Sequence, residues 1–535
     1  MSLTRRAFLE RLGAVGGYGA VYLGMEAMGL LASSARAAPF RMPPAPKRRR
    51  KVVVLGAGIS GLISAYELKR AGWDVTVLEA RDRVAGRVWT VRGGDKIVQI
   101  GRPDQHCEFS DGLYLNAGAA RIPSSHHVIL GYARDLGVPI EAMVNHNRAA
   151  KWEFNNRVVT NRQMTHDVRG RFTELLAKAI DKGALDQELA GGDKNAMRGF
   201  LAFYGSLNRK GEYAPDGRSG YDPLPGGYSE TGRAIQPMGL EDVFKLGPGV
   251  ALPLVFEEFF DQQAPMFQPV GGMDRIAHAL YERVHSRVRL NAPVTAIRRR
   301  GEGVRILYGR RGDKVIDADY CICTLPLPLL QKIPADFSPA KQAAIKDNPY
   351  LISTKVGFES RRFWEDEGVY GGLAWTDRLN ENLFYPSGGW HSDKGVLVAA
   401  YSSGWTGPNH EAQFAALSHE DRFRVCRESV EALHPGRSRE LTRPITVSWA
   451  LTPWSEGVGP VGPTFGGGPA DGAGRPPAYA ELLRPEGPIF FAGEHLSYVP
   501  FWQEGAALSA HEAMKKLHEL DAGRAPASRA SRSIG

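Results

Sequence analysis

The plainest apolar pattern in the chain is Lys51-Val-Val-Val-Leu55, one lysine followed by three valines and a leucine. Such a short β-branched run without polar alternation predicts a strand buried on both faces. Gly56-Ala-Gly58-Ile-Ser-Gly61 follows at once and opens a helical stretch to Ala71, after which Asp74-Val-Thr-Val-Leu78 predicts a second strand ending at Glu79. The glycine spacing has a physical reason. Gly56 permits the tight turn, Gly58 lets the backbone approach a pyrophosphate, and Gly61 allows the helix to pack closely on the strand. The helix N-terminus then offers its N–H groups to phosphates, and Glu79 stands where a carboxylate accepts hydrogen bonds from ribose hydroxyls. Strand, turn, helix, strand and acid in this order predict a dinucleotide-binding unit.

Further along, helical periodicity marks Arg169–Ile180 and Gln187–Tyr204, and strand patterns lie near 353–358, 396–402 and around 444–455. Val458–Pro477 is the longest irregular stretch, rich in Gly and Pro. The chain has no internal repeat. The N-terminal pattern is of another kind. Thr4-Arg5-Arg6-Ala7-Phe8-Leu9, a Gly/Ala-rich weakly apolar stretch and the small-x-small site Ala35-Arg36-Ala37 together resemble a twin-arginine export signal over residues 1–37. Glu26 and the many glycines make residues 12–34 a poor membrane span, so periplasmic or secreted localisation is expected, with no stable membrane span.

Composition narrows the classes. With 43% hydrophobic and 23% charged residues over 535 positions, disorder and a membrane bundle are disfavoured and more than one core is expected. The net charge of +9 is spread through the basic start, Lys47 to Lys51 and the Arg-dotted tail, with no aromatic-basic stripe, so no nucleic-acid partner is expected. The four cysteines include no CxxC pair, so neither a zinc site nor a disulfide framework is indicated, and no metal is expected. Cys321 and Cys323 alternate in the apolar run Tyr320–Leu325 and predict a same-face pair in a core.

Beyond Glu79 the chain resembles the flavin amine oxidase family, most closely its bacterial FAD-dependent L-amino-acid oxidases, over about residues 50–520. Glu79-Ala-Arg-Asp-Arg83-Val-Ala-Gly86-Arg87-Val-Trp-Thr90 is similar to that family's second fingerprint, with Ala85 where a glycine is usual. Alanine is small enough to fit there if the backbone angle is negative. Arg87 carries over as a phosphate-facing arginine, while Arg83 is as well read as a structural salt-bridge partner. Pro269-Val-Gly271-Gly272-Met-Asp-Arg275 and Leu290-Asn-Ala-Pro-Val294-Thr-Ala-Ile297 resemble returning flavin-domain segments, Val294 meeting the adenine through its backbone. Ile489-Phe-Phe-Ala-Gly493-Glu494-His495 resembles the last strand and flavin-contacting turn, with Glu494 on the ribityl chain. Gln503-Glu-Gly505-Ala506 opens a helix to about Leu520 whose positive end faces the flavin.

The resemblance implies an α/β fold: a discontinuous Rossmann-like FAD-binding domain (50–130, 265–350 and 478–520), a helical insertion (131–230) and a mixed-sheet substrate-binding domain (231–264 and 351–477), followed by a flexible tail (521–535). It implies oxidative deamination of L-amino acids to 2-oxo acids with release of ammonia and hydrogen peroxide, by hydride transfer from Cα to flavin N5 and reoxidation by dioxygen. Arg121, in Asn116-Ala-Gly-Ala-Ala-Arg121-Ile-Pro123, would clamp the substrate carboxylate with its planar fork, and Tyr385, in Leu383-Phe-Tyr385-Pro386, would add a hydrogen bond. Lys355, alone among apolar and small residues in Ser353-Thr-Lys355-Val-Gly-Phe358, would hold a water near N5, and Trp502 would flank the amine. Phe501 stands where some relatives have glycine and would narrow the pocket. Trp449 and Trp454 are read as packing residues before pocket walls. A monoamine or polyamine oxidase needs no Arg121, whereas an amino-acid 2-monooxygenase shares the Arg121–Tyr385 pair, and a flavin-binding module without turnover is the reading from another class. The oligomeric state stays open, a homodimer being among the states allowed.

Overall fold

The computed structural model describes residues 40–45, 50–346, 348–462 and 476–524. The segment read as an export signal, most of the Gly/Pro-rich loop and the tail from 525 onward lie outside the described residues.

Five parallel strands form the first sheet, in the order Val288–Arg289, Asp74–Leu78, Lys51–Leu55, Tyr320–Cys323, Ile489–Phe491. Val52 pairs with Val75 on one side and Tyr320 on the other, so strands far apart in sequence close around the first. Both faces are covered, which is why Lys51–Leu55 shows no polar alternation. Val52 and Val54 pack under the helices Ile59–Arg70, Arg275–Val284 and Gln503–Arg524. Val53 and Leu55 face a second core with Cys321, Cys323 and the sheet strands Val294–Arg300 and Gly303–Tyr308. The two cysteines are buried free thiols on one face of this core.

Residues 131–230 contain the helices Asn161–Asp181, capped by the Thr160 hydroxyl, and Gly191–Tyr204. The same segment also carries the strands Ile140–Met143, Lys151–Phe154 and Arg157–Thr160, the first of which pairs with Met266–Pro269. The last helix runs on to Arg524, so the tail begins later than residue 521.

An antiparallel sheet lies in the remaining part of the chain, ordered Gly372–Trp375, Asn382–Tyr385, Lys394–Ser402, Thr354–Arg361, Thr442–Ser448. Its register sets Lys355 directly opposite Tyr401. Among the described residues no helix is long and apolar enough to cross a membrane.

Candidate active site

A cavity of about 1000 Å³ runs from the glycine turn to the antiparallel sheet. At its first end Gly56 has φ +102°, and a Cβ on Gly61 would lie 1.9 Å from the Gly56 carbonyl oxygen, so turn and helix meet in direct backbone contact. A Cβ on Gly58 would meet no protein atom within 4 Å, which leaves that backbone open to whatever enters the cavity. Glu79 is buried, accepting N–H bonds from Ala57 (2.8 Å) and Arg81 (3.0 Å). Val294 and Thr295 line the same end, and the buried Thr295 hydroxyl has no partner among the described residues.

Arg87 lines the cavity with its guanidinium turned to Glu494, Nη1 to Oε1 2.8 Å, and it also donates to the Val458 carbonyl. The other Glu494 oxygen accepts the Phe501 N–H at 2.9 Å. The expected phosphate-facing role of Arg87 therefore shares its donors with Glu494. Arg83, also read as a structural salt-bridge partner, forms no salt bridge among the described residues. It donates to the carbonyls of Val84 and Gly86 and lies 4.2 Å over the Trp89 ring, and burial pulls its pKa down to about 9. At Ala85 φ is +74°, so the negative angle at which alanine fits without strain is not the one the turn adopts. The turn keeps the left-handed backbone that a glycine would take, and alanine occupies it under strain. Phe501, likewise at a position where glycine was the comparison, has φ +69°.

At the far end Arg121 is 7% exposed. Its Nε donates to the Gln262 side-chain oxygen at 3.0 Å, and its guanidinium lies 5.5 to 5.8 Å from the ring centres of Phe384, Phe256 and Trp502. Among the described residues no carboxylate pairs with it. Burial works against its charge, yet a guanidinium stays protonated, so a full positive charge stands in an aromatic cage. Uncompensated burial of this kind costs of the order of several kcal/mol unless an anion enters.

Lys355, also buried, donates to the carbonyls of Gly118 (2.6 Å) and Asn116 (3.0 Å), with Nζ 4.5 Å from the Tyr401 ring centre. Burial, aided by the Arg121 charge, pulls its pKa down to about 7. Trp502 lines the cavity beside Arg121 and meets His126 edge to face at 5.0 Å. Trp449 and Trp454 both line the cavity, Trp449 also donating from its indole to the Ala117 carbonyl. At the start of the last helix the Gln503 amide is buried in the cavity wall, with neither atom hydrogen-bonded among the described residues.

Tyr385 is elsewhere. Its hydroxyl bonds His434 Nε2 at 2.6 Å in a core with Phe363 and Trp364, off the cavity. Strand parity is the reason: neighbouring side chains point to opposite faces, and Phe384 is the one facing Arg121. Tyr401 stands on the cavity side instead, opposite Lys355, and burial raises its pKa so that it remains a neutral phenol. Sequence reasoning missed Tyr401, Trp405 and Gln262. The strand pattern over 396–402 carried the signal for Tyr401, since it faces the same way as Lys355 across the ladder.

The chain from residue 59 to 515 matches the family of flavin-containing amine oxidoreductases. It is 30% identical to an L-amino-acid oxidase of Mus musculus over 88% of this chain and 71% of that protein. It is 27% identical to a flavin-dependent L-tryptophan oxidase of Lentzea aerocolonigenes over 88% of this chain and 98% of that one. A solved putrescine oxidase superposes with a TM-score of 0.57 at 18% identity, covering 89% of this chain and 100% of that one, a likeness of fold.

Proposed function

We propose that this chain, which belongs to the flavin-containing amine oxidoreductase family, binds FAD and oxidatively deaminates L-amino acids to 2-oxo acids, ammonia and hydrogen peroxide. The observation that carries the amino-acid part is Arg121, a buried cation caged by rings and unpaired with any carboxylate among the described residues. A substrate carboxylate supplies the missing charge and takes the fork's two remaining nitrogens. The relatives named L-amino-acid oxidase and L-tryptophan oxidase support the same substrate class.

The residues fit FAD. The open backbone at Gly58 and, among the lining residues, the buried and unpartnered Thr295 hydroxyl and Gln503 amide leave polar groups for a ligand, and Glu79 stands at the ribose position of the dinucleotide motif. When bound, FAD supplies the two-electron acceptor for the Cα–H bond and passes those electrons to dioxygen. The chain's own part is to orient and to manage protons. Arg121 and Gln262 hold the carboxylate end, the Tyr401 hydroxyl is a neutral donor beside it, and the Trp502 indole walls the space next to the guanidinium. Lys355, with its pKa near 7, exchanges a proton with a water or with the substrate amine from a buried position in the cavity wall.

Product analysis tests this reading: aerobic turnover of an L-amino acid is expected to yield 2-oxo acid and peroxide in equal amounts. An amide one carbon shorter with carbon dioxide would instead identify a 2-monooxygenase. We also propose twin-arginine export, on Arg5-Arg6 and the following Gly/Ala-rich stretch. Arg5-Arg6→Lys-Lys is expected to retain the protein in the cytoplasm, and unchanged export would refute that route.

A further inference from the structure

The cavity wall beyond Arg121 is built on a buried carboxylate. Glu381 ends the turn between the strands Gly372–Trp375 and Asn382–Tyr385, and its side chain is 0% exposed. Its Oε2 accepts the N–H groups of Ser403 (2.6 Å) and Gly404 (2.8 Å), and its Oε1 those of Trp405 (2.7 Å) and Thr406 (3.0 Å). His410 Nδ1 is the one basic group beside it among the described residues, 3.6 Å from Oε1. From the other end of the turn, the Thr376 carbonyl accepts the Thr406 hydroxyl at 2.9 Å. Glu381 itself has φ +59°, a conformation a glutamate seldom takes unless its surroundings impose it.

Four successive amides converging on one anion form a closed arrangement, and what they carry faces the cavity. Ser403 and Trp405 line it. The Trp405 ring packs against Tyr401 (4.6 Å between centroids), Trp375 (5.6 Å) and Phe256 (5.9 Å), and Phe256 is one of the rings around Arg121. The segment 403–406 follows directly on the strand that bears Tyr401 and lies outside any ladder, so Glu381 supplies the acceptors its amides would otherwise find in water.

We propose that Glu381 is a positioning residue: by gathering the amides of 403–406 it holds Trp405 as a rigid wall against which the substrate side chain packs, beside the carboxylate clamp. This rests on the amino-acid oxidase reading. A glutamine at 381 keeps one acceptor oxygen and turns an NH2 group toward two N–H donors, which loosens the segment without changing side-chain size. An aspartate keeps the charge and recovers part of the contact.

The test uses the purified flavoprotein with L-phenylalanine and L-alanine, whose side chains do and do not reach a wall beyond the clamp. Glu381→Gln is expected to lower kcat/KM for L-phenylalanine about tenfold, chiefly through KM, with less than about a twofold change for L-alanine and unchanged flavin content. Glu381→Asp is expected to fall between. In a Trp405→Ala background the Glu381→Gln effect is expected to vanish. Equal losses on both substrates, or the same loss with Trp405 absent, would overturn the proposal. Hydrogen exchange supplies a readout that needs no stable glutamine variant: the amides of 403–406 are expected to be protected in the wild type and to exchange at least about tenfold faster in Glu381→Asp. Unprotected amides in the wild type would overturn the anchor. If no L-amino acid reduces the wild-type flavin, the oxidase reading fails, and hydrogen exchange alone decides whether Glu381 pins the segment.

Discussion

At the dinucleotide end of the cavity Glu79 and Arg87 find their partners within the chain. Glu79 accepts two backbone N–H bonds, and Arg87 meets Glu494 at 2.8 Å. At the other end two buried cations, Arg121 and Lys355, have carbonyls, one amide and ring faces around them, and no carboxylate among the described residues. At the dinucleotide end the Arg87–Glu494 pair is compensated before any ligand arrives. The other end keeps positive charge uncompensated, and that charge is what a carboxylate-bearing substrate meets. The same residue type therefore serves stability in one place and recognition in the other, and the two roles should respond oppositely to removal of the charge.

Arg87→Met should produce the largest effect. It leaves Glu494 buried without its cation, and the unfolding free energy is expected to fall by about 3–5 kcal/mol with loss of bound flavin, as measured by denaturant titration and absorbance. An unchanged midpoint would show that the pair contributes nothing. Arg121→Met comes next and goes the other way in stability. Its melting temperature is expected to hold or rise, because a methionine suits the ring cage better than an unpaired charge. Activity on L-amino acids should fall by roughly thirty- to a thousandfold in kcat/KM, about 2–4 kcal/mol of transition-state binding, with Arg121→Lys recovering part. A drop in melting temperature would mean the charge is already compensated.

Lys355→Met should keep its flavin and slow turnover by roughly tenfold or more. The pH profile gives the sharper readout. Burial and the Arg121 charge bring the Lys355 pKa to about 7, so below that pH the side chain is an ammonium and above it a neutral amine. Only the neutral form can accept a proton, so kcat/KM is expected to rise with pH through about 7, and this limb should be absent from Lys355→Met. A limb that persists in the variant belongs to another group.

The smallest effect is expected from Ala85→Gly. An alanine at φ +74° bears a left-handed penalty of about 1–2 kcal/mol, partly offset by the roughly 0.5–1 kcal/mol that glycine loses on ordering. Calorimetry should show a gain of up to about 1 kcal/mol, and a clear loss would mean the alanine methyl makes packing contacts worth more than the strain.

The glycine turn, the doubly covered parallel strand Lys51–Leu55 and the burial of Lys355 were legible in the sequence because each rests on local chemistry: backbone freedom, an apolar run, or a lone cation among apolar residues, whereas Arg121 was picked out by the family resemblance. Tyr385 was not, because which face a strand residue takes depends on register, and one position of offset exchanges Phe384 for Tyr385. The strain at Ala85 was left open because residue size says nothing about the φ a turn imposes. Glu381 and Gln262 were invisible for a third reason, since their partners lie in other segments and no spacing within the chain announces them.

The most direct test of the carboxylate clamp is anaerobic mixing of the wild-type flavoprotein with an L-amino acid and, separately, with the amine left by its decarboxylation. Bleaching of the flavin band is expected to be faster with the amino acid by at least about thirtyfold, the lower bound set by the Arg121 contact. Faster bleaching by the amine would contradict the role assigned to Arg121 and make the protein an amine oxidase.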